Sequence, residues 1–97
     1  MKFKDFVRED RLLEILLFLA ETAGYGASHH LLHTAIDRVG HVVAMDMLLA
    51  DLVWLAEHGL IIIDHSGESQ IARLNHRGLD VAEGRSTHPG IKRPKPE

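Results

Sequence analysis

Residues 45–75 read MDMLLADLVWLAEHGLIIIDHSGESQIARLN, and the order of patterns in this stretch decides the fold. Apolar side chains recur at three- and four-residue steps over residues 45–58, which predicts an amphipathic helix. Residues 60–63 are a largely β-branched apolar run, and residues 70–74 alternate between polar and apolar. Residues 66–69 between them have the composition of a turn. The stretch therefore predicts a helix followed by a β-hairpin.

The flanking sequence adds three more helices to this helix and hairpin. Helical spacing of apolar residues from Asp5 to Ala23 predicts a long first helix. Ser28 is a suitable N-cap for a short second helix that Gly40 ends, and Asn75 is a suitable N-cap for a last helix that Gly84 closes. The predicted order is three helices, a hairpin and a short final helix.

Length and composition are those of one globular domain. The chain has 97 residues, of which 45% are hydrophobic and 26% charged, and it contains no cysteine. We expect one domain over residues 1–85 and a flexible, basic, proline-containing tail over residues 86–97. No apolar run approaches the roughly 20 residues that span a bilayer. The expected location is the cytoplasm, without membrane contact.

The order of elements resembles that of winged helix-turn-helix proteins. Residues 51–60, 74–84 and 89–94 (DLVWLAEHGL, LNHRGLDVAEG and PGIKRP) are similar to a family of small proteins encoded in Mu-like prophages, often labelled ArsR-type regulators. The resemblance covers nearly the whole chain. It implies an α+β, mostly α, winged-helix fold, and its label implies a DNA-binding transcriptional regulator.

The third helix would enter the major groove in such a regulator. Its outward positions are predicted to be Asp46, Met47, Ala50, Asp51 and Trp54, and none of these is basic. Reading of bases relies most on Arg, Lys, Asn and Gln, and aspartates repel phosphates. Met47 and Trp54 are candidate contacts for DNA or for a protein partner, although Trp54 is better explained as covering the hairpin and completing the core.

Phosphate contacts are therefore expected from cations outside the third helix. The candidates are Arg38, Arg73, Arg77, Lys92, Arg93 and Lys95. The leading hypothesis is a DNA-binding regulator that acts as a homodimer. The alternative is a winged-helix module that holds a protein partner and does not bind DNA specifically.

The first helix has more apolar residues than one core-facing stripe requires. Leu13, Leu17 and Phe18 are the surplus, and we predict that they form the homodimer interface. The remaining apolar positions predict a core of Leu12, Ile15, Leu16, Leu19, Leu32, Ile36, Leu48, Leu52, Leu55, Leu60, Ile62, Ile71 and Leu74.

No pattern of catalytic or metal-binding residues stands out. His29 and His33 have a spacing that can place two imidazoles on one metal ion, but the sequence places no third ligand beside them. Surface histidines are the favoured explanation. No nucleophile with a base and no phosphate-binding glycine loop is present, so the sequence predicts a protein that is not an enzyme and has neither cofactor nor metal.

Overall fold

A computed structural model describes residues 2–95 as a small α+β domain in which helices predominate. The elements within this range are α1 (Phe3–Glu21), a 3-10 turn (Ala23–Tyr25), β1 (Gly26–Ser28), α2 (His29–Arg38), α3 (Met45–Glu57), β2 (Ile61–Ser66), β3 (Ser69–Leu74) and α4 (His76–Ala82). No helix among them is both long and apolar enough to cross a membrane. The predicted order of helices and hairpin is confirmed, with one strand added.

Two predicted N-caps begin their helices. Ser28 Oγ accepts a backbone N–H of the first turn of α2 at 3.2 Å, and Asn75 Oδ1 accepts the N–H of Gly78 at 2.9 Å. Asn75 Nδ2 also donates to the carbonyl of Gly59 at 2.6 Å, which ties the start of α4 to the end of α3. A Cβ on Gly78 would lie 2.1 Å from the carbonyl oxygen of Leu60, so α4 can pack this closely only with glycine there.

The sheet has the strand order β1-β3-β2, and both pairs are antiparallel. Central β3 places Leu74 opposite Ile61 of β2, and Ala72 opposite Ala27 of β1. Strand β1 was not predicted from the sequence. It has three residues, which is too short to display a period, and it forms by pairing with a strand far along the chain.

The predicted core is confirmed except at two positions of the hairpin. Its buried members are Leu12, Ile15, Leu16, Leu19, Leu32, Ile36, Leu48, Leu52, Leu55, Leu60 and Leu74. The prediction was wrong for Ile62, which is 60% exposed, and for Ile71, which is only half-buried, while Ile61 and Ala72 are buried. A run of four apolar residues does not show which alternate positions face inward, and the pairing with β3 sets that phase.

The C-terminal segment (residues 86–95) packs on the domain, which corrects the expectation of a free tail. Ile91 is 4% exposed and belongs to the core, and Lys92 donates its backbone N–H to the carbonyl of Glu9 at 3.3 Å. The expectation failed because one apolar residue among prolines and cations shows no period. Residues 96–97, the end of the predicted tail, lie outside the described residues.

Candidate functional site

A buried ion pair joins α1 to α3. Arg11 Nε donates to Asp51 Oδ2 at 2.6 Å and Arg11 Nη2 donates to Asp51 Oδ1 at 3.1 Å. The two residues are 6% and 2% exposed. The prediction that Asp51 faces outward toward phosphates is therefore wrong, because its carboxylate is turned inward onto a buried guanidinium. Asp51 presents no unpaired charge at the surface.

The solvent-facing side of α3 is an acidic and apolar surface, named here the α3 strip. It consists of Asp46, Met47, Ala50, Val53 and Glu57, all exposed. Met47 is 47% exposed and Val53 is 48% exposed, and Met47 points outward as predicted. Helix α3 contains neither lysine nor arginine, so no cation on it can contact a phosphate or read a guanine.

Trp54 lies beside the α3 strip and is half-buried under the C-terminal segment. The ring of His58, one turn along α3, stacks on the indole at a centroid distance of 3.8 Å, and His88 meets it edge-on at 5.3 Å. The guanidinium of Arg8 lies 5.2 Å from the centre of the indole. Trp54 thus packs against the C-terminal segment and α1, contacts that the sequence did not predict.

His58 and His88 share a hydrogen bond of 3.1 Å between Nδ1 of His58 and Nε2 of His88. The backbone N–H of Gly90 donates to Nδ1 of His88 at 3.1 Å, which assigns the ring proton of His88 to Nε2. His88 then donates to His58. Burial lowers the pKa of His88, and the neighbouring His58 and Arg77 lower it further. In this arrangement His88 is a neutral imidazole, whose Nδ1 accepts and whose Nε2 donates.

Asp10 on α1 fastens the other end of the C-terminal segment. Its carboxylate accepts Lys92 Nζ at 3.0 Å and His41 Nε2 at 2.7 Å. Partial burial raises the pKa of Asp10, but the hydrogen bonds from Lys92 and His41 outweigh this, so the pKa lies below its ordinary value of 3.8. Lys92, predicted as a phosphate contact, is engaged within the domain.

The other predicted phosphate contacts lie on separate elements. Those in α2, β3, α4 and the C-terminal segment are Arg38, Arg73, Arg77, Arg93 and Lys95, and all are exposed. Arg73 Nη1 donates to the carbonyl of Gly24 at 3.1 Å, and the guanidinium of Arg77 lies over Gly59. Arg93 and Lys95 line one groove together with Lys92, whereas Arg38, Arg73 and Arg77 belong to α2, β3 and α4.

The apolar surface predicted for dimerisation is smaller than the sequence suggested. Leu13 is 4% exposed and belongs to the core, so its assignment to an interface is corrected. Leu17 and Phe18 are half-buried, and they line a shallow groove with Val39, which is 55% exposed. Of the predicted dimer interface, Leu17 and Phe18 remain.

His29 and His33 form structural hydrogen bonds. The Gln70 N–H donates to His29 Nδ1 at 3.1 Å, and His33 Nε2 donates to the carbonyl of Val43 at 2.6 Å. In the part of the chain that the structure describes, no three histidine, aspartate or glutamate side chains come close enough to hold one metal ion.

Several residues of this site were not predicted from the sequence, and Arg11, His58 and His88 are the most important of them. A signal existed only for Arg11, which stands next to Leu12 in the apolar stripe of α1 and therefore needs a counter-charge when the stripe is buried. His58 and His88 lie 30 residues apart, and no local pattern connects them.

The comparison with known proteins gives a phage relative. The chain is 37% identical over 92 residues to "Uncharacterized protein gp26" of Escherichia phage Mu, and the alignment covers 95% of both chains. The chain belongs to the family of phage Mu gp26. The predicted relation to Mu-like phage proteins is confirmed. No protein-family model and no solved structure matches this chain.

Proposed function

We propose that this phage protein is a winged-helix domain that holds a protein partner on the α3 strip. The α2–turn–α3 unit corresponds to a helix-turn-helix, and the β2–β3 hairpin corresponds to the wing, with β1 as the third strand. The fold alone does not identify the ligand, so the choice between DNA and a protein partner depends on the chemistry of the surface that α3 presents.

The charge of α3 is the observation that carries this proposal. The helix exposes two carboxylates, Asp46 and Glu57, and has no lysine or arginine. The hairpin carries Asp64 and Glu68 toward its tip, and its one cation, Arg73, lies at the base. A winged helix that reads DNA brings these two elements to the phosphates, where like charges repel. A protein ligand does not meet this repulsion.

The α3 strip also defines the chemistry of the partner. Met47, Ala50 and Val53 offer apolar surface, and Asp46 and Glu57 mark its acidic borders. The complementary ligand is a segment with apolar side chains flanked by lysine or arginine. Burial of the apolar atoms supplies affinity, and the charges supply orientation.

Site-specific photo-crosslinking in cells that carry the phage tests this. A photoreactive residue at position 53 is expected to capture a peptide in which apolar residues stand between basic ones. The matched control places it at position 31, where Leu31 is 50% exposed on α2. Binding to the purified partner should be lost on Met47→Glu and kept on Leu31→Glu. Equal capture at both positions, or crosslinking of position 53 to DNA, would contradict the proposal.

A DNA-binding regulator is the second candidate, supported by the exposed arginines and lysines outside α3. Arg38, Arg73, Arg77, Arg93 and Lys95 have no anionic partner among the described ion pairs. Contacts from these residues would bind phosphates with weak sequence preference. Fluorescence anisotropy with mixed duplex DNA tests this candidate, because binding through phosphate contacts must appear at low salt and weaken steeply as the salt concentration rises. No binding at low salt excludes this candidate.

A further inference from the structure

The C-terminal segment covers the side of α3 that adjoins the α3 strip. Its lower anchor, residues 91–92, consists of Ile91 in the core and the ion pair between Lys92 and Asp10. Its upper part, residues 86–90, reaches α3 through His88, whose ring meets Trp54 edge-on, and through Gly90, where an added Cβ would lie 2.8 Å from the indole. The two parts are attached by different chemistry, so the upper part can leave while the lower anchor stays.

The upper attachment requires neutral histidines. Protonation of His58 places an N–H on Nδ1, which then faces the Nε2–H of His88 at 3.1 Å, donor against donor. Protonation of His88 places an N–H on Nδ1, which faces the N–H of Gly90 in the same way. Either proton therefore breaks a hydrogen bond and puts two donors in contact.

Among the charged groups on the elements packed against His88, the positive charge of Arg77 disfavours a proton on His88. Arg77 approaches from α4, and Arg8 approaches from α1 over Trp54. On α3 itself, Asp51 is already paired with Arg11, while Asp46 and Glu57 belong to the exposed α3 strip. The pKa of His88 is lowered by burial, by His58 and by Arg77, in agreement with this geometry.

We propose that residues 86–90 form a pH-sensitive cover, which protonation of the His58–His88 pair releases from Trp54. Release enlarges the apolar surface beside the α3 strip by the indole face. The cover does not depend on the identity of any partner, so it is testable on the isolated protein. Imidazole is the side chain that titrates in the range where such a cover could respond to cellular pH.

Trp54 is the single tryptophan of the chain and reports on the cover directly. Its accessibility to acrylamide is measured by fluorescence quenching between about pH 8 and about pH 5, a range that spans imidazole titration. The expected result is a rise in the quenching constant with a midpoint below about 6.5, the ordinary imidazole value. Circular dichroism at each pH must show that the helices persist.

Substitutions separate release from direct quenching by an imidazolium ring. His88→Gln is expected to leave Trp54 accessible at every pH and to abolish the transition. The control His65→Gln, at an exposed position on β2, is expected to keep it. An emission change without a rise in acrylamide access would overturn the proposal, as would a transition that survives in His88→Gln.

Discussion

Asp51→Ala is expected to lower the free energy of unfolding by about 3–5 kcal/mol. The wild-type carboxylate accepts two N–H groups of Arg11, at 2.6 and 3.1 Å, where both residues are almost fully buried. Its removal leaves a guanidinium that is 6% exposed without a counter-charge. A domain of this size has a total stability of about 5–15 kcal/mol, so the variant should be marginal.

Urea unfolding followed by circular dichroism measures this effect, and two variants serve as controls. Arg8→Met removes a cation whose side chain is 46% exposed and whose Nε lies 4.0 Å from Asp51 Oδ1, so it should cost less than about 1 kcal/mol. The double variant Arg11→Met with Asp51→Leu removes both buried charges and should recover most of the loss. A loss below about 1 kcal/mol for Asp51→Ala would refute the buried pair.

Four further outcomes follow from the packing and the charges. Leu52→Ala, at 0% exposure, should cost about 2–5 kcal/mol, whereas Ile62→Ala, at 60% exposure, should change urea stability by less than about 0.5 kcal/mol. Ile91→Ala should also lower the free energy of unfolding by about 2–5 kcal/mol. An unchanged urea midpoint would show that the C-terminal segment does not pack on the domain. The pKa of His88 is lowered on folding, so its contribution to stability is complete above about pH 6.5 and falls as the pH drops below that value. Urea midpoints should therefore decrease on acidification, and they should decrease less in His88→Gln. Sedimentation at micromolar concentration should show a dimer that Leu17→Glu converts to a monomer, and a monomeric wild type would contradict the α1 interface.

Features with a local cause could be predicted from the sequence. The helices were visible as apolar spacing, and their starts at Ser28 and Asn75 were visible because an N-cap acts on the next turn of its own helix. The hairpin was visible because its two strands adjoin one turn. Each of these signals lies within a few residues of the structure that it predicts.

Features that depend on distant partners could not be predicted. The inward phase of Ile61 is set by its pairing with β3, and the inward turn of Asp51 is set by Arg11, 40 residues away. Ile91 belongs to the core and its neighbour Lys92 is held by the carbonyl of Glu9, more than 80 residues earlier, so nothing within residues 86–95 predicts its burial. The candidate site consists largely of such contacts, which explains why the sequence located α3 but misassigned the side chain of Asp51.

The positions of Asp51 and Trp54 also limit which ligands α3 can bind. A helix that enters the major groove needs its outward side chains free to approach base edges. In this protein Asp51 is used to hold α1, and Trp54 is used to hold the C-terminal segment, so the α3 strip is what the helix leaves for a ligand. That strip offers carboxylates and apolar groups, which have no favourable contact with phosphates. Under the proposed function, any contact with DNA would come from cations outside α3, whereas the proposed basic and apolar protein segment would be complementary to α3 itself.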